Sequence, residues 1–166
     1  MQMKLFIFCL WFSAHSCIFA SEPKQPLFIV DGDSININVV FFLDLDGMKE
    51  INDKLGHEYG DRALINTSKI MHKSFRTTDI LSRLGGDEFV VIAVKAQDDY
   101  IPIIIQRIKD CVKMENKLSK DYKISLSIGV SKVNIDSENA LDEAIKEADK
   151  EMYKVKAKNK KEKKSK

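Results

Sequence analysis

Apolar residues occur in short runs whose period changes from segment to segment, and the changes mark out the elements. Val39-Val40-Phe41-Phe42-Leu43 is an unbroken β-branched and aromatic run, the pattern of a strand buried on both faces. It stops at Asp44-Leu45-Asp46-Gly47, and 48–55 then has the composition of a short helix. Residues 56–61, Gly-His-Glu-Tyr-Gly-Asp, read as a turn into a longer helix, in which Ala63, Leu64, Thr67, Ile70 and Met71 recur at three- and four-residue spacing. Segments 80–84 and 89–94 are short strands separated by Gly-Gly-Asp-Glu, whose turn chemistry predicts a hairpin. An amphipathic stretch over 100–118 carries Ile104, Ile108, Cys111 and Val112 on one side. Residues 123–133 alternate Ile124, Leu126, Ile128 and Val130 as a half-buried strand, and 140–156 closes as a helix through Leu141, Ile145, Ala148 and Met152. The order strand, helix, hairpin, helix, strand, helix predicts an α+β sandwich, with a central, mostly antiparallel sheet flanked by helices. No internal repeat is visible.

The sequence has 166 residues, 44% of them hydrophobic, the size of one domain with a single core. Its composition divides it into a hydrophobic segment at 1–20, a turn-rich connector at 21–38, the domain at 39–160 and a basic tail at 161–166. In the first segment Lys4 precedes an apolar run over 5–20 that ends at Ala20, ahead of Ser21-Glu22-Pro23. That run is shorter than the roughly 20 residues a spanning helix needs. A secretory signal, a short membrane anchor and a start codon placed too early are all open readings of it.

Twenty-seven basic and 25 acidic residues leave a net charge of +2, too small for a chain that binds nucleic acid, and no nucleic-acid partner is expected. The charge is unevenly placed. Lys154, Lys156, Lys158, Lys160, Lys161, Lys163, Lys164 and Lys166 crowd the end, while acidic residues concentrate over 44–61 and at Asp87-Glu88. The lysine run reads as a solvated, frayed helix end in preference to a lipid or nucleic-acid contact. Cys9, Cys17 and Cys111 show neither CxxC nor zinc spacing, so neither a disulfide framework nor a metal–thiolate site is predicted.

Asp44 ends a buried strand and Asp87 lies in the hairpin turn, so a sheet that makes these strands neighbours brings two carboxylates together, with Glu88 beside them. Carboxylates held close at reduced dielectric repel, and a cation is the natural compensation. Hard oxygen ligands with room for waters and phosphates favour magnesium. Taken singly, Asp44 and Asp46 read as strand-end caps and Asp87 as a turn former. Gly85 and Gly86 remove Cβ atoms where a backbone would approach a ligand, and they permit positive φ.

Taken together the residues form an ordered set. Phe42-Leu43-Asp44-Leu45-Asp46 is followed by Lys49-Glu50-Ile51-Asn52-Asp53, Gly56-His57, Gly60-Asp61 and Arg76-Thr77-Thr78-Asp79. Arg83-Leu84-Gly85-Gly86-Asp87-Glu88-Phe89, Ser127-Ile128-Gly129 and the stretch from Ala148 to Lys156 complete it. In order and spacing this resembles the GGDEF domain of diguanylate cyclases over residues 39–160. The resemblance implies that family's nucleotide-cyclase, palm-like sandwich and a Mg²⁺-dependent condensation of two GTP into cyclic di-GMP with release of pyrophosphate.

Residue by residue, the resemblance implies that Asp44, the Leu45 carbonyl and Asp87 hold magnesium, with manganese as a substitute, on the GTP triphosphate. Asn52 and Asp61 would read the guanine edge, with Met48, His57, Gly85 and Gly86 also in the substrate site. Lys156 and Lys160 would neutralise phosphate charge, and Asp87 and Glu88 would assist deprotonation of the attacking 3′-hydroxyl. One GTP per subunit makes a homodimer necessary for catalysis. Arg76-x-x-Asp79 matches the family's inhibitory site for cyclic di-GMP, and Arg107 falls where a second arginine contact is expected; the plainer reading of Arg76 and Asp79 is a surface ion pair.

The chain departs from the family in lacking an opening Asp-x-Leu-Thr-Gly-Leu-x-Asn-Arg stretch and its helix, which is expected to leave apolar surface in need of another partner or to make the core marginal. Met48 stands where the family has Phe, and Lys160-Lys161 replaces an Arg-Asn ending, keeping charge but losing the arginine fork. An active enzyme must meet GTP in the cytoplasm or at the cytoplasmic face of a membrane, contacted through residues 5–20. The alternative reading is a catalytically impaired module that binds GTP or cyclic di-GMP as a sensor.

Overall fold

The computed structural model describes residues 39–134 and 136–164, with side chains through residue 161. The segment at 1–20 and the connector at 21–38 lie outside the described residues. The elements run β1 Val39–Leu45, α1 Met48–Leu55, α2 His57–Ser74, β2 Ile80–Gly85, β3 Glu88–Ala93, α3 Tyr100–Leu118, β4 Leu126–Lys132 and α4 Ala140–Lys164. The strands form one sheet in the order β2-β3-β1-β4, and each neighbouring pair is antiparallel.

The unbroken apolar run of β1 has its explanation in this order. β1 is central, and helices cover both of its faces, so all seven of its residues are buried. Val39, Phe41, Leu43 and Leu45 face α2 and α3 through Ile70, Met71, Phe75, Ile104 and Ile108. Val40 and Phe42 turn the other way, onto Ala140, Ala144, Ala148 and Met152 of α4. The four-residue spacing of small alanines lets α4 sit flush on the sheet. A Cβ on Gly129 of β4 would collide with the Ala148 carbonyl oxygen and the Met152 nitrogen, and would lie 2.9 Å from the Met152 Cα.

Several boundaries differ from those the sequence predicts. β1 continues to Leu45 because Asp44 stays in the ladder, opposite Glu88 on one side and Ser127 on the other. Residues 57–61 are not a turn: Gly56 alone, at φ 92° and ψ 164°, breaks the chain between α1 and α2, and α2 starts at His57. Only Gly86 and Asp87 remain outside the strands of the hairpin. β4 begins at Leu126, since the Asn116 side chain claims both backbone groups of Ile124, accepting from its N–H and donating to its carbonyl at 2.7 Å each. α4 runs on past residue 156 to Lys164, a stretch of strong helix formers that needs no apolar partner to stay wound.

Among the described residues of the sheet, large apolar exposure falls at the edge strand β2, where Ile80 is 43% and Leu84 54% exposed. Among the described residues no helix is long and apolar enough to cross a membrane.

Candidate active site

The end of β1 collects charge from three other elements. Asp44 is 4% exposed. Its neighbour Leu45 donates its backbone N–H to the Asp87 carbonyl at 3.0 Å, which pins the turn between β2 and β3 beside it. Arg83 fixes the same turn from inside the hairpin, its Nε and Nη2 donating to the Gly86 carbonyl at 3.0 and 2.6 Å. Gly86 has φ 51°, a conformation for which glycine is the natural residue, whereas Gly85 merely faces open space. From the opposite side of the sheet α4 sends Lys156, whose Nζ lies 2.7 and 2.6 Å from the two carboxylate oxygens of Asp44. Lys160, one helical turn further on, is exposed.

These neighbours set the protonation of the group. Burial pushes the Asp44 carboxyl up; the Lys156 hydrogen bond opposes the rise and the Asp87 charge adds to it. Burial also raises Glu88, followed by the charges of Asp149, Asp44 and Asp87. Burial by itself would lower Lys156, but its hydrogen bond to Asp44 and the surrounding carboxylates outweigh that and hold the ammonium above its ordinary range. The result is a carboxylate cluster with Lys156 as its contacting counter-ion.

A raised carboxyl binds its proton more tightly in the folded state, so ionised Glu88 costs stability once the pH has risen through its folded pKa. Glu88→Gln removes that cost. The variant is expected to melt higher than the parent at pH 7, and the gap is expected to narrow as the pH falls below the ordinary value of 4.5. Melting curves of both proteins at pH 7 and pH 4 check the sign.

The oxygen-rich cluster suits a hard cation. Among the described residues no group of three or more His, Cys, Asp or Glu side chains is arranged to hold a metal by itself.

At the α1–α2 junction Asn52 Oδ1 is buried and has no hydrogen-bond partner among the described residues. Gly60 makes the space for it: a Cβ there would fall on Asn52 Oδ1 and lie 3.1 Å from Met48 Cε. Met48 and Asn52 therefore meet over Gly60, while His57 and Asp61 stand exposed on the first turns of α2. An orphaned buried carbonyl is costly unless something donates to it, so Asn52 Oδ1 is an acceptor left open for a donor.

Arg76, Asp79 and Arg107 line one pocket on a different part of the molecule. The plainer alternative for Arg76 and Asp79, a surface ion pair, is not what forms. Asp79 spends its oxygens on backbone, accepting from Arg76 N–H at 2.7 Å and Val94 N–H at 3.2 Å. The Arg76 guanidinium is instead stacked on Tyr100, with Cζ 4.7 Å from the ring centroid. Arg107 Nη1 donates to the Ser74 carbonyl at 2.9 Å. Sequence reasoning assigned no role to Tyr100, Arg83, Gly60 or Asp149; Arg83, Gly60 and Asp149 carried a signal, by lying inside the ordered motifs, and Tyr100 carried none.

Comparison with known proteins agrees with this architecture. The sequence profile of the family described as diguanylate cyclase, GGDEF domain, matches residues 32–162. The chain is 37% identical over 121 residues to the cyclic di-GMP phosphodiesterase NbdA of Pseudomonas aeruginosa, covering 71% of this chain and 15% of that protein. It is 33% identical over 119 residues to diguanylate cyclase A of Treponema denticola, covering 70% of this chain and 32% of that one. The chain thus spans about a third or less of these relatives. An EAL/GGDEF domain protein from M. capsulatus superimposes with a TM-score of 0.65 at 33% identity, over 78% of this chain and 82% of that structure. With the profile matched across most of its length, the chain belongs to the GGDEF domain family.

Proposed function

We propose that the chain is a divalent-metal-dependent diguanylate cyclase that joins two GTP into cyclic di-GMP. The observation that carries this reading is the buried Asp44, paired across the sheet with Glu88, under the charge of Asp87 and neutralised by Lys156. Asp44, the Leu45 carbonyl and Asp87 would hold magnesium or manganese. Bound there, the ion would neutralise triphosphate charge and make the α-phosphorus a better electrophile. Asn52 and Asp61 select guanine, the first through donor and acceptor, the second by accepting from the ring N–H and amino group. Lys156 and Lys160 take phosphate charge. Glu88, whose raised carboxyl is a stronger base than an ordinary glutamate, is placed with Asp87 to receive the 3′-hydroxyl proton. The 3′-oxygen attacks the α-phosphate of the partner's GTP, its bond to the departing pyrophosphate breaks, and a second such step closes the ring. Each subunit brings one GTP, so the active species is a homodimer, working where cytoplasmic GTP is available.

Guanine selection tests the reading. The parent protein is expected to bind GTP at least about tenfold more tightly than ATP, because a site built to pair with N–H groups rejects a base that cannot supply them. Gly60→Ala forces the Asn52 amide aside and is expected to erase most of that preference. Titration calorimetry with both nucleotides measures it, and equal preference in parent and variant would count against guanine recognition at Asn52.

The second pocket is proposed to bind the product. Two arginines whose planar forks suit phosphate and the guanine Hoogsteen edge stand beside Asp79 and the Tyr100 ring. Arg76→Ala is expected to weaken cyclic di-GMP binding by about tenfold or more. Labelled product that binds the variant as well as the parent would sink this assignment.

A further inference from the structure

Apart from the Lys156–Asp44 pair, α4 is tied to the sheet by a second, separate set of contacts. Asp46, two residues past Asp44, points its carboxylate at β4 and accepts from the Ser127 hydroxyl through Oδ1 and the Ser125 hydroxyl through Oδ2, each at 2.7 Å. Its backbone N–H donates to the Ser125 carbonyl at 2.9 Å. Ser127 is fully buried. Onto its oxygen, at 3.3 Å, comes the amide nitrogen of Asn159 from α4.

The direction of this relay is fixed by proton count. A carboxylate only accepts and an amide nitrogen only donates, so the single Ser127 proton goes to Asp46 and its lone pair receives Asn159. Turning the amide over would set two acceptors against one hydroxyl proton. The chain Asn159 to Ser127 to Asp46 therefore joins three elements, α4, β4 and the end of β1, in one orientation.

Its position on α4 gives it a purpose. The last buried residue of α4 among the described side chains is Met152, so beyond that point apolar packing does not fix the helix. Lys156, Asn159 and Lys160 follow at spacings of three and four, on one face. The Lys156 grip on Asp44 holds this face only while Lys156 stays there; the Asn159 relay holds it independently. We propose that Asn159, oriented by Ser127 and Asp46, is a positioning residue that keeps Lys156 and Lys160 aimed at a triphosphate. The inference rests on the reading of those lysines as phosphate ligands.

Calorimetric titrations of the full chain with Mg²⁺ and either α,β-methylene GTP or guanosine test it, using the parent and Asn159→Ala. Loss of one net hydrogen bond is worth about fivefold, and that loss is expected for the triphosphate alone, with guanosine binding unchanged. In a background of Lys156→Ala with Lys160→Ala the Asn159→Ala effect is expected to vanish, because its route is through the lysines. Asn159→Asp, which presents a second carboxylate to the Ser127 hydroxyl, is expected to fail in the same way as alanine. Equal losses for guanosine and triphosphate would reduce Asn159 to a structural role and overturn the proposal, as would a loss that persists without the lysines or no loss at all. If the parent binds neither ligand, the cyclase reading and this inference fall together; if it binds both and Asn159→Ala does not separate them, the inference falls alone.

Discussion

Asp87→Ala is expected to lower cyclic di-GMP formation by about a thousandfold or more, while leaving the protein folded and its product binding intact. The size follows from the proposed reading, in which Asp87 would help hold the metal ion and receive the 3′-hydroxyl proton in a site where positioning and electrostatics supply most of the rate. The selectivity follows from the structure. Asp87 is half-buried in a two-residue turn, and it is its backbone carbonyl, not its side chain, that bonds to Leu45. Alanine keeps that bond. Removing the carboxylate also takes away one of the charges that push Asp44 up. The Arg76, Asp79 and Arg107 pocket is built from α3, the end of β3 and the α2–β2 turn, and Asp87 takes no part in it. Chromatography of the reaction products and binding of labelled cyclic di-GMP, on the same preparation, measure both halves of the expectation. A variant that still makes product at the parent rate would remove Asp87 from the chemistry.

The largest expected loss of stability is at Gly129. In Gly129→Ala the new Cβ meets the backbone of α4 at Ala148 and Met152, and backbone cannot rotate out of the way as a side-chain tip can. α4 must lift from β4, opening the cluster formed by Val40, Phe42, Val90 and the α4 alanines. Overpacking of this kind costs about 3 kcal/mol and sometimes more, a large part of the stability of a domain this size. The same displacement carries Lys156 away from Asp44, so nucleotide binding is expected to fall along with the denaturation midpoint. An unchanged midpoint would mean that α4 does not seat on Gly129 as described.

How much of this was legible in the sequence depended on whether a local pattern reported a nonlocal fact. β1 and α3 announced themselves, the one by being apolar on both faces, the other by a clean helical period over the observed span Tyr100–Leu118. The start of α2 was hidden because two glycines among polar residues look like a loop, whereas one of them makes the break and the other makes room for Asn52. The end of α4 was hidden because apolar periodicity stops where helix propensity continues. In the site, carboxylates at the ends of strands expected to be neighbours could be paired in advance by reasoning from hairpin and strand alone. The grip of Lys156 on Asp44, 112 residues away, could not, since it depends on how α4 crosses the sheet. Arg76 and Asp79 have the spacing of a helical ion pair, but they stand in a turn, where Asp79 bonds backbone and the guanidinium is left to Tyr100. Ser127 and Asn159 carried no chemical signal of their own; their meaning comes from the carboxylate between β1 and β4.

The central claim is turnover. The 166-residue chain incubated with GTP and Mg²⁺, its products separated by chromatography, is expected to yield cyclic di-GMP with two pyrophosphates for each product molecule, and Asp87→Ala is expected to yield neither. A folded chain that binds GTP with guanine preference yet forms no cyclic di-GMP would contradict the account and leave a module that binds without catalysis.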